Sequence, residues 1–285
     1  MGALATARSA RPAETSSLWL ALPAILALGL FFFAPLANLV TISFSGETAF
    51  SAYERFFASP AATRILVNTV LVALAVSASC TLMALAFALA IRTLTPFWAR
   101  LALLSVTLPL WISILVRSYS WLYVLAQEGI VNRSLLALGL TDQPFQLLFN
   151  WGAVGLGIGH ILLPYALLPI HNAVEALDPL LLRAARSLGA GPARIFFTLI
   201  LPLTARGILT GAALVFVLAL GFYVTPQMLG SARNTMLAVY VDVLVNTMLD
   251  WPRAAAASLV LVVTVAAGIA LLAFAAGRTV ARLRP

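Results

Sequence analysis

Groups able to do chemistry are sparse in this chain, and they fall in three places. The stretch RAARSLGAGPAR sets Arg183, Arg186 and Arg194 around Gly189 and Gly191, between two long apolar runs. Arg117 stands beside Ser118, Tyr119, Trp121 and Tyr123 near the end of another run. His160 and His171 are about three helical turns apart, which places them on one face of a helix. A guanidinium in such a segment either anchors among interfacial aromatics or faces a cavity, as part of a gate or substrate path. An imidazole there either hydrogen-bonds a neighbouring helix or serves a proton or substrate. No metal site is expected. Cys80 is the only cysteine, so it can form neither an internal disulfide nor a thiolate cluster. All 17 basic residues are arginine, and without lysine the chain can have no ordinary Gly-x-x-x-x-Gly-Lys phosphate loop. The expectation is a chain that binds no cofactor and is not itself an enzyme.

Membrane spans must position these residues. Apolar residues make up 62% of the 285, charged residues 9%, and mean hydropathy is +1.04. A bilayer core of ~30 Å takes about 20 apolar residues as a helix, and six segments are long enough: 18–43, 65–91, 101–126, 147–170, 204–224 and 254–276. The first is too long for a signal-peptide core, and no clear cleavage site follows it. The composition predicts an all-α integral membrane protein, with tails over 1–17 and 277–285 flanking a six-helix domain over 18–276. A net charge of +8 could suit nucleic acid, but most of the arginines lie in the tails and in the connections between spans. With a cytoplasmic N-terminus, eleven of them fall inside and six outside, the bias expected of a bacterial membrane protein. Both termini and the RAARSLGAGPAR stretch then face the cytoplasm. The outer connections 44–64, 127–146 and 225–253 carry interface-type aromatics such as YERFF and read as interfacial helices. Asn68 and Asn150 read as caps or interhelical glue.

The basic stretch predicts a hairpin within 174–203. Asp178-Pro179 is a helix start, with a capping acceptor followed by proline at the first helical position. Leu180, Leu181, Ala184, Ala185 and Leu188 share one arc of that helix, opposite Arg183, Arg186 and Ser187. Gly189 stands where a helix end favours a left-handed residue, and Gly191-Pro192 restarts a second short helix that ends at Pro202. Such a hairpin could merely link two spans. It could also be a docking surface for a soluble partner, since a connector needs neither the alanine pair nor the central glycine.

Ala184-Ala185, Gly189, Leu199 and Leu201-Pro202, in this spacing and just before the penultimate span, resemble the coupling loop of permease subunits in type I ABC importers. Arg183 departs from the family pattern, standing where those permeases carry glutamate. The segments LPLWISILVRSYSWLYVLAQEGIVN, LLPYALLPI and LPLTARGILTGAALVFVLALGFYVTPQMLG resemble the polyamine branch, the spermidine and putrescine permeases. The resemblance implies a six-span permease fold in the bacterial inner membrane, working by alternating access. It implies as partners a second, different permease, two copies of an ATPase that holds the ATP and magnesium, and a periplasmic binding protein. It makes Arg117, Tyr119, Trp121, Tyr123 and His160 candidates for the substrate path, and Gly207-x-x-x-Gly211 a small-residue face for the partner permease. A polyamine is the favoured solute, with an amino-acid derivative, an opine or another organic ion carried by the same machinery as the alternative. An ion-coupled secondary transporter fits less well, because no inverted repeat or midplane carboxylate is visible.

Overall fold

The computed structural model describes residues 15–46 and 48–282, all of it helix and connections among the described residues. Of the expected tails 1–17 and 277–285, residues 1–14 and 283–285 lie outside the described residues. At both edges the helices run further than the hydropathy predicted: α1 spans Thr15–Ser43 and α13 spans Trp251–Arg282. Between them come α2 (Ser51–Ala58), α3 (Pro60–Ile91), α4 (Pro96–Thr107), α5 (Ile114–Val124), α6 (Ile130–Ala137), α7 (Trp151–Glu175), α8 (Pro179–Ser187), α9 (Pro192–Ile195), α10 (Leu201–Leu220), α11 (Val224–Leu229) and α12 (Leu237–Asn246).

Helix starts follow local chemistry. At α3, Ser59 Oγ accepts from the Ala62 N–H at 3.4 Å, with Pro60 in the first turn, so this helix begins five residues before the expected boundary. At α7, Asn150 Oδ1 accepts from the Ala153 N–H at 3.0 Å, the cap anticipated for this residue.

Two spans differ from expectation. Segment 101–126 is not one straight helix. After α4 the chain tightens into a 3-10 turn over Leu108–Trp111, passes through Ile112 and Ser113 in extended backbone, and re-forms as α5 at 105° to its former axis. Pro109 lacks the N–H that a continuing helix requires, and the two extended residues complete the break. Segment 204–224 instead begins at Pro192, since α9 runs into α10 through a widened turn over Phe196–Ile200, and the second arm of the hairpin is part of the span. In that turn the Leu201 N–H reaches back to the Phe196 carbonyl. The wider turn eases the fit of Pro202, which offers no N–H of its own.

The core is α7 clasped between α3 and α10. Ile158, Ile161, Leu162, Leu167 and Ile170 are buried there. Cys80 is a packing residue whose thiol donates to the Gly159 carbonyl at 3.4 Å, and Ser77 Oγ donates to the Ala212 carbonyl at 2.8 Å. The Gly207–Gly211 face is not free for a partner. A methyl group at Gly207 would stand 2.7 Å from the Pro169 carbonyl oxygen, and one at Gly211 would stand 2.9 Å from that of Ala166. These glycines let α10 lie directly on α7. At the other end Phe56, Ala62, Leu237, Leu244, Ala254 and Ala257 form a second cluster joining α2, α3, α12 and α13. The long side chains of α1 beyond Ala21, such as Phe31–Phe33, lie mostly exposed, the surface a span presents to lipid.

Candidate functional site

The hairpin is set by its two turns. Asp178 Oδ1 accepts from the Leu180 N–H at 2.8 Å and starts α8. At the other end the Gly189 N–H donates to the Arg186 carbonyl at 3.0 Å, and the Ala190 N–H to the Ala185 carbonyl at 3.0 Å. This pair of bonds is the Schellman closure, and it requires Gly189 at φ +82. A methyl group there would meet nothing within 4 Å, so the backbone angle alone demands glycine.

None of the α8 side chains is buried against the described residues. Ala184 is exposed and Ala185 half-buried, beside exposed Leu180, Leu181 and Leu188, the last 87% accessible. Arg183, Arg186 and Arg194 are also exposed and form no ion pair among the described residues. Leu199 and Leu201 are half-buried where the widened turn meets α10, with Pro202 at its start. An apolar stripe flanked by free guanidinium groups is therefore held away from the bundle by rigid turns.

What holds the root of this hairpin is a residue that loop charge counting treated as one inner arginine among eleven. Arg92, one residue past α3, donates through Nη1 to the Val174 carbonyl at 2.9 Å and through Nη2 to the Leu177 carbonyl at 2.6 Å. These carbonyls close α7 immediately before α8. A cation at a helix C-terminus is favoured by the exposed carbonyl dipoles, and here it also ties α3 to the segment that enters the hairpin. The only sequence sign is an arginine directly after a long apolar helix.

The second site lies at the α4–α5 break. Arg117, Trp121 and His160 meet in a cavity of about 350 Å³, with Pro109, Ile112, Val116, Ser120 and Val124. His160 is nine residues into α7, about 14 Å from its start, and Arg117 meets it there. Folding α5 back across α7 moves it there. Ser118 and Thr225 share a buried hydroxyl bond of 2.9 Å that fastens α5 to α11, and Gly157 makes room for α11 on α7. Tyr119 and Tyr123 do not join this cavity; they form an exposed stripe on α5.

Trp121 Nε1–H donates to His160 Nδ1 at 3.2 Å. Indole nitrogen can only donate, so His160 is neutral in this arrangement and its proton is on Nε2. Arg117 is only 7% exposed, and its Nε and Nη1 have no acceptor. His171, on the same helix, is not in the cavity, and its buried Nδ1 is also without a partner. Among the described residues no group of three or more metal-ligating side chains forms.

No family model matches the chain. The spermidine/putrescine transport system permease protein PotB of Escherichia coli is 32% identical over 255 residues, covering 87% of this chain and 92% of that protein. PotB of Salmonella typhimurium is 34% identical over 210 residues, 74% of this chain and 72% of that one. A solved bacterial alginate ABC transporter, in complex with a periplasmic protein carrying an alginate pentasaccharide, has a chain that superposes with TM-score 0.75 at 19% identity. The match covers 91% of this chain and 93% of that one, a likeness of fold.

Proposed function

Because the chain belongs to the family of the spermidine/putrescine permease PotB, the multi-pass inner-membrane permease subunits of ABC importers, we propose that its α8 hairpin is the contact through which an ABC ATPase drives it. The single observation that carries this reading is that no residue of α8 is buried, its apolar stripe included, on turns that fix its angle. A linker in water would gain by burying Leu180, Leu181 and Leu188; a docking helix keeps them for a partner. Nucleotide-driven closure of two ATPase copies would move the hairpin, and α10 would carry that motion into the core because α9 and α10 are one continuous span.

In this reading both termini and the hairpin are cytoplasmic, and a second, different permease completes the path. A periplasmic binding protein delivers the solute, and a polyamine is the favoured solute, as the relatives' names indicate for them. Arg183 replaces the family's glutamate, so docking rests on the Ala184-Ala185-Gly189 shape or on an acidic group of the ATPase. The test is the assembled complex in lipid with its binding protein, native against Ala185→Asp. Loss of ATPase capture, or ATP hydrolysis without uptake, is the expected result. Native-like binding, hydrolysis and uptake would reduce the hairpin to a connector.

A further inference from the structure

Arg117 carries a charge that no described group of this chain balances. Its Nε and Nη1 are out of solvent without an acceptor, and none of the cavity's other residues is acidic. Glu128, Asp142, Asp242 and Asp250 lie in the connections between spans. The neighbouring polar groups do not neutralise it. His160 accepts from Trp121 and so has only a donor left, while Ser120 Oγ, which gives its proton to the Val116 carbonyl at 2.9 Å, keeps acceptor lone pairs but no charge. The cavity therefore holds one full positive charge and no anion of the described chain, and the ligand it fits is a carboxylate.

Two sources could supply that group, a passing solute or a neighbouring protein. An importer spends part of each cycle without solute, and a guanidinium buried away from water is costly whenever it is unpaired. A permanent partner is needed. A bare arginine would also repel the cationic solute that the family relationship favours, whereas a paired one would not. Trp111, Leu115, Val116 and Tyr119 are exposed beside the cavity, an apolar surface that lipid or a neighbouring span could cover, and of the two only a span can bring an acid to Arg117. We propose that Arg117 pairs with an acidic side chain in a span of the second permease, an intersubunit ion pair that completes the α4–α5 break. This rests on the two-permease importer reading above.

The experiment uses the full complex in nanodiscs. Arg117→Glu is made in this chain, alone and combined in turn with each Asp or Glu of the second permease's spans changed to Arg. Arg117→Glu alone should lower assembly or uptake by roughly a hundredfold, the scale of an unpaired buried charge, and one charge swap should restore it. At that position the neutral pair, Arg117→Gln with the partner acid→Asn, should lose no more than either change alone, which separates pairing from a general folding defect. Failure of every swap to restore uptake overturns the pairing. So does an Arg117→Gln complex that assembles with both permeases but takes up solute with a raised KM, because the carboxylate would then belong to the solute. A native complex that never assembles with an ATPase would instead count against the importer reading itself.

Discussion

The hairpin root and the α4–α5 break each place an arginine against α7, and they treat it in opposite ways. Arg92 gives two nitrogens to the carbonyls of Val174 and Leu177. Arg117 gives its buried Nε and Nη1 to nothing. The first region is complete within the chain: helix end, cation and hairpin entry form one bonded unit. The second has a cavity and a charge, but no anion among the described residues. In the readings proposed above, the first region passes on the motion of the ATPase, and the second is completed by the neighbouring permease.

If the inner region is self-contained, its most sensitive point is where α10 rests on α7. Gly207→Leu would drive a side chain into the Pro169 carbonyl, which stands 2.7 Å from where even a methyl group would go. The helices must separate, at about 3 kcal/mol or more. A large fall in the yield of folded protein in detergent is expected. Normal yield and melting temperature would mean that α7 and α10 are not locked together. Arg92→Gln follows. It leaves two helix-end carbonyls without their charged donor, a loss of about 2 kcal/mol, and it loosens the hairpin root without touching α8. The expected readout is a lower uptake per ATP hydrolysed, with the ATPase still bound, and recovery in Arg92→Lys that is only partial because one ammonium replaces a two-pronged donor. Unchanged coupling would make Arg92 a helix cap and nothing more.

Gly189→Ala tests the hairpin turn itself. The added methyl meets no neighbour, so the penalty is the left-handed backbone alone, about 1 kcal/mol. Coupling should fall modestly, and Gly189→Asn should fall less, since asparagine tolerates that angle better. A larger loss from Ala than Arg92→Gln produces would reverse the ranking of turn and strut.

The hairpin was legible because its signals are local. Asp178-Pro179, Gly189 and Gly191-Pro192 each dictate a turn by their own chemistry, and the turns appear at those residues. The number of apolar segments was legible for the same reason, but their shapes were not. Pro109 signals a kink, yet Pro23, Pro35, Pro164 and Pro169 lie inside continuous helices, so proline alone does not say which span breaks. The extended backbone at Ile112 and Ser113 decides it, and no residue type there requires that conformation. Gly207 and Gly211 announced close packing, but the surface expected was the partner permease, and α7 of the same chain takes it. Arg92 and Arg117 could not be ranked at all, because whether a guanidinium finds an acceptor depends on distant contacts; the two that Arg92 makes are 82 and 85 residues away along the chain.

The smallest effect is expected where an arginine meets an acid of its own chain. At the start of α13, Asp250 Oδ1 accepts from the Arg253 N–H at 3.1 Å, and its Oδ2 lies 2.9 Å from Arg253 Nη2 and 3.7 Å from Arg55 Nη1. Burial would raise the Asp250 pKa, but the Arg253 backbone and guanidinium, with a smaller push from Arg55, hold it below the ordinary carboxylate range. A depressed carboxyl favours the folded form when ionised. Its contribution is therefore complete above the unfolded pKa of about 4 and is lost as pH falls through the lower folded value. Arg55 is half exposed, so the arrangement should be worth on the order of 1 kcal/mol or less. Melting temperature between pH 7 and pH 3 should fall slightly further for the native chain than for Asp250→Asn. Equal losses would mean the cluster of α2, α12 and α13 is held by its apolar contacts alone, and that an arginine completed within the chain adds rigidity at Arg92 but little at Asp250.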